Sequence, residues 1–168
     1  CDVDSSQLNS LGVVMAGRLA AAMSPQGLEK SALLGAFCFY LVLFFGFDIQ
    51  PDLLWWLRQP LNAMVLIIVS PALEEWIFRG WLFDLVRNWS QTLKQELLSE
   101  RLLSIQNAVT TSCFCALHSV LREPLTGLLV LGPSLLLGFM RDRQVSLPVL
   151  MMIHGVWNAG WFFFYPPG

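Results

Sequence analysis

Residues 61–83 have the length and apolar character of a membrane-spanning segment, yet Glu74, Glu75 and Arg79 fall inside it. Each charged side chain at the centre of a span costs roughly 2.5–3.5 kcal/mol on insertion scales. Three together cannot face lipid. They need partners on neighbouring helices or a water-filled cavity, so this segment belongs inside a helical bundle and marks a functional site.

The remaining composition agrees. Of the 168 residues, 55% are hydrophobic and 13% charged, against roughly 25% charged in ordinary soluble domains. The net charge is −2 and no basic stripe is present, which gives no support to a nucleic-acid partner. The length suits a single domain covering 1–168, with 1–30 as a peripheral N-terminal segment and a core at about 61–165. Because the first residue is Cys1 and not Met, the chain is expected to be processed or part of a longer protein.

In chain order, Leu11, Val14, Met15, Leu19 and Met23 recur at helical spacing and predict an amphipathic helix at the membrane interface. Residues 31–47 are continuously apolar and form a first span. Residues 48–60 carry two prolines, two aspartates and the Trp55-Trp56 pair, as in a short interfacial segment with aromatic anchoring. The second span is 61–83. Residues 84–103 mix charges with leucines and predict a polar-faced helix outside the hydrocarbon. Further spans follow at 104–121, 125–140 and 147–165, which makes an all-α polytopic transmembrane bundle of about five spans plus amphipathic interfacial helices. Cys38, Cys113 and Cys115 lie in apolar runs and are expected as buried free thiols.

Arg18, Lys30, Arg87, Lys94, Arg101, Arg141 and Arg143 fall on one side of this topology, Arg58 and Arg122 on the other. The positive-inside rule then places the N-terminus in the cytoplasm.

Adjacent helical residues point about 100° apart, so Glu74 and Glu75 face different directions. Glu75 and Arg79 are four apart with the acid first, the favourable order for an ion pair. Glu74 is thereby left for other work. Both histidines of the chain, His118 and His154, lie in apolar spans, and Asn158 shares the helical face of His154. A rise of ~1.5 Å per residue brings Glu74, His118 and His154 to depths close enough for one polar cavity. A carboxylate beside imidazoles can take a proton from water, and an amide with a ring N–H can donate to a developing oxyanion.

Three segments carry a family likeness: Glu74-Glu75-Trp76-Ile77-Phe78-Arg79, Phe114-Cys115-Ala116-Leu117-His118 and His154-Gly155-Val156-Trp157-Asn158. They resemble, in order and without substitution, the motifs of the CPBP or type II CAAX-protease family of glutamic-type intramembrane endopeptidases. The resemblance implies that Glu74 and His118 activate water and that His154 and Asn158 stabilise the oxyanion, with Glu75 and Arg79 in supporting positions. It implies an integral, multi-pass membrane protease acting on a membrane-anchored protein or peptide, through CAAX-type or C-terminal sorting-tag processing. No cofactor is expected; the alternative is zinc held by Glu74, His118 and His154. A non-catalytic membrane scaffold or immunity protein of the same family is the rival reading.

Overall fold

Prolines and short polar turns divide the chain into helices, and a proline inside one of them shapes the site. The computed structural model describes residues 27, 30, 31, 35, 52, 54–92 and 104–165. Among these residues every regular element is helical, and the architecture is an all-α bundle.

A short helix α1 (Trp55–Arg58) leads into α2 (Pro60–Ser90). Pro60 occupies the first turn of α2, where its missing N–H costs nothing. Within α2, π-helical turns at Val65–Val69 and Trp76–Leu82 flank the α-helical stretch Ser70–Glu75. Pro71 explains the first of them in part. It has no N–H to offer the carbonyl of Leu66 or Ile67, so the regular ladder is interrupted one turn before the glutamates. Such local widenings of a helix are frequent at functional sites.

The next helix, α3 (Ile105–Leu121), starts at Ser104, whose hydroxyl accepts the Asn107 N–H at 3.1 Å. That hydroxyl also donates to Asp142 Oδ2 at 2.6 Å and ties the start of α3 to the end of α5. After a turn at Arg122 and Glu123, α4 (Pro124–Leu129) and α5 (Leu131–Asp142) run nearly continuously, separated at Val130. A turn through Gln144, at φ 63°, leads to α6 (Leu147–Phe164). Helix α3 packs on α4, α5 and the later part of α2, while α6 packs on the earlier part of α2. Gly155 allows this second contact: a Cβ there would lie 2.6 Å from the Ile67 carbonyl oxygen.

Burial is distributed as in a membrane protein. Trp81 is 64% exposed and Val120 81%, whereas Glu75, Arg79, Asn107 and Thr110 are wholly buried. Apolar packing persists where helices touch, as in the cluster of Leu137, Met140, Val145, Leu150 and Ile153. Since lipid is as apolar as leucine, close packing and interhelical polar bonds must supply much of the cohesion.

Among the described residues, three helices are long and apolar enough to cross a membrane: Pro60–Ser90, Pro124–Asp142 and Leu147–Phe164. They correspond to the expected second, fourth and fifth spans. Helix α3 has 17 residues and occupies the place of the third. The expected span at 31–47, the interfacial helix within 1–30 and the segment 93–103 lie outside the described residues, apart from isolated positions.

Three local expectations change. The helix expected to begin at 84 outside the hydrocarbon is, through Thr92, a direct continuation of α2. Trp55 is no interfacial anchor: it is buried against Ala63 and Phe162, because α1 turns that ring towards the bundle. The thiols of Cys113 and Cys115 are free and lie about 200° apart around α3; Cys113 is exposed and Cys115 only half-buried.

Candidate active site

Helix α2 presents its two acids to different surroundings. Glu75, Arg79 and the imidazole of His154 form a buried unit: Arg79 Nη1 donates to Glu75 Oε1 at 3.1 Å, and His154 Nδ1 lies 2.8 Å from the same oxygen. The carboxylate accepts, so Nδ1 carries the proton. Arg79 Nη2 continues across to α5, donating to the Ser134 carbonyl at 3.1 Å and to Ser134 Oγ at 2.7 Å. From Ser134 the chain of bonds passes to Thr111 Oγ1 at 3.1 Å and on to Asn107 Oδ1 at 3.1 Å. Asn107 Nδ2 closes it on the Leu135 carbonyl at 3.0 Å. The Arg79 guanidinium also sits over the Phe114 ring, 4.7 Å from its centroid. Stripping water from an ion pair costs several kcal/mol per charge, and these bonds offset much of that cost.

Glu74 points the other way, into a cavity of about 440 Å³. Ser70, one turn earlier, donates to Glu74 Oε1 at 2.5 Å, and His154 Nε2 lies 3.7 Å from Glu74 Oε2. His118 and Asn158 line the same cavity, with an otherwise largely apolar wall that includes Phe114, Leu129, Leu137, Trp157 and Phe162. His118 Nδ1 lies 3.0 Å from the Phe114 carbonyl. A carbonyl only accepts, so this nitrogen carries the proton and Nε2 of the neutral ring remains a proton acceptor.

Asn158 depends on the irregularity in α2. Its Nδ2 donates at 2.9 Å to the Leu66 carbonyl, to which Pro71 offers no N–H. One amide hydrogen is used there, which fixes the side chain; the other is available to a ligand. Gly155, one turn from Asn158, brings α6 close enough for this bond.

The four residues expected at the reacting centre, Glu74, His118, His154 and Asn158, thus share one cavity, and Glu75 and Arg79 lie behind it. The structure adds the Glu75–His154 bond, Ser70, Pro71 and the Ser134–Thr111–Asn107 relay, none of which the motifs indicate. A signal existed for some: Ser70 shares a helical face with Glu74, and Asn107, Thr111 and His118 follow one polar stripe on α3. Ser134 had none. Cys115 is absent from the cavity lining.

Among the described residues, no three His, Cys, Asp or Glu side chains gather as a group able to hold a metal ion.

A helical membrane bundle with acid, imidazole and amide groups around a cavity that can hold water and a peptide is the architecture of an intramembrane hydrolase. Residues 54–160 match the family model of the type II CAAX prenyl endopeptidases, Rce1-like. The match covers more than half of the chain, which therefore belongs to that family. It is an integral membrane protein and, in general terms, a CAAX-type intramembrane endopeptidase acting on a membrane-associated substrate. Neither curated proteins nor solved structures give a significant match to the chain.

Proposed function

We propose that the protein hydrolyses a peptide bond near the C-terminus of a membrane-anchored protein or peptide, using water activated by Glu74. The observation that carries this reading is the convergence of Glu74, His118, His154 and Asn158 on one cavity while Glu75 is sealed against Arg79. Glu74, its Oε1 held by Ser70, takes a proton from water, and His118 Nε2 orients that water. The hydroxide adds to the scissile carbonyl carbon. Charge then collects on the former carbonyl oxygen, where the second amide hydrogen of Asn158 donates to it.

His154 contributes from the other side of the oxyanion. Because its Nδ1 proton is given to Glu75, Nε2 donates only while the ring carries both protons. Glu75 is in this reading a positioning residue that sets the orientation of that ring. When the C–N bond breaks, the proton held by Glu74 passes to the leaving nitrogen. The products are a new carboxylate and a free amine, and no step needs a metal. The bundle is proposed to be multi-pass with a cytoplasmic N-terminus.

The test uses purified wild type and the variants Glu74→Gln, Glu75→Gln and His118→Ala with an S-farnesylated CAAX peptide and a lipid-anchored sorting-tag peptide, each with and without a zinc chelator. Cleavage by wild type, unaffected by chelator and abolished in Glu74→Gln, is the expected result. Full activity of Glu74→Gln removes the mechanism. Activity lost to chelator and restored by zinc replaces it with a metal-dependent one.

A further inference from the structure

One charged group of the cavity has no part in this chemistry. Arg122 is the sole cationic side chain among the described residues that line the cavity, and Glu74 is the sole acidic one. Arg122 has no ion-pair partner among the described residues. It stands at the end of α3, its backbone N–H donating to the His118 carbonyl at 3.0 Å. It is therefore one helical turn beyond His118, ~6 Å along the axis, before its long side chain adds further reach.

We infer that Arg122 is a subsite for the free C-terminal carboxylate of the substrate; this rests on the reading of the cavity as the place of cleavage. Three lines of observation support the assignment. The first is charge: a guanidinium facing an apolar cavity matches a carboxylate, which it can bind through two parallel N–H bonds. The second is length. Three extended residues beyond a scissile bond span ~10 Å at 3.3–3.6 Å each, a distance that a carbonyl placed at Glu74 and His118 and a carboxylate placed at Arg122 would fit. The third is the apolar lining of the cavity, where Leu129, Val130, Leu136 and Leu137 would meet the aliphatic side chains of such a tail. Thr126, in α4, also lines the cavity and offers a hydroxyl.

The subsite acts as a ruler. It makes the enzyme select a bond by its distance from the chain end, so that internal sequences of the same composition are spared. A carboxamide lacks the charge and pairs poorly with Arg122.

The decisive comparison uses a fluorescent S-farnesylated CAAX peptide as free acid and as C-terminal carboxamide, with wild type, Arg122→Gln and Arg122→Lys. Wild type is expected to favour the acid in kcat/KM by roughly tenfold, the worth of a charge-assisted hydrogen bond. Arg122→Gln brings the acid-to-amide ratio near one, and Arg122→Lys restores part of it. If wild type treats acid and amide alike, or Arg122→Gln slows both by the same factor, Arg122 is an interfacial anchor and the subsite is refuted. Binding of both peptides to Glu74→Gln, read by fluorescence anisotropy, separates this inference from the proposed reaction. Tighter binding of the acid with no cleavage by wild type would overturn the reaction and keep the subsite; equal binding would overturn the subsite whatever the cleavage.

Discussion

Glu74 and Glu75 are adjacent in the chain and belong to different regions of the molecule. On the side of Glu75 lies a buried polar relay, Arg79, Ser134, Thr111 and Asn107, whose members are at most 2% exposed and are bonded across three helices, with Ser134 alone also touching the cavity. On the side of Glu74 lies an apolar cavity with a few polar groups that retain free donors and acceptors. The difference teaches that the same residue types serve cohesion where they are buried and bonded across helices, and chemistry where they line a cavity. A carboxylate locked to a guanidinium is a poor base, and one held by a neutral hydroxyl at the wall of a cavity can reach water.

Substitutions at the two sites should separate these roles. Glu74→Gln, nearly isosteric and on the cavity side, is expected to lower kcat by about 10²–10⁴-fold while leaving the thermal transition in detergent in place. Early melting of this variant would break the comparison. Arg79→Ala should do the reverse, losing about 3–5 kcal/mol of stability because the Glu75 charge is left buried and unpaired. Reversible unfolding in mixed micelles reads that loss, and adding Glu75→Gln to Arg79→Ala should recover part of it.

Asn158→Ala removes a proposed oxyanion donor and is expected to cost about 10²–10³-fold in kcat with KM little changed. Smallest is the effect of Pro71→Ala. It returns an N–H that competes for the Leu66 carbonyl and loosens Asn158, an effect worth about 1 kcal/mol, or roughly fivefold in kcat. A drop in stability without the kcat loss would show that Pro71 shapes α2 without positioning Asn158.

The sequence alone determined much of this protein, for physical reasons that operate over short distances. Apolar runs bounded by proline and polar turns dictate helices, because a backbone in lipid must bond within its own segment. Glu75 and Arg79 pair because four residues make one turn, and the ion pair is found at 3.1 Å. Charges in residues 61–83 marked the site because lipid cannot solvate them. The motifs around Glu74, His118 and His154 indicated the family to which residues 54–160 belong.

Only the tertiary structure decided which groups meet across helices. His154 shares Glu75 with Arg79, although 79 residues separate the two in the chain. Ser134 receives Arg79 from 55 residues away, and the Leu66 carbonyl opened by Pro71 is taken by Asn158 at a separation of 92. No periodicity encodes such meetings. They follow from how closely α6 approaches α2 at Gly155 and from the packing of α5 against both, and those depend on every side chain in the bundle at once.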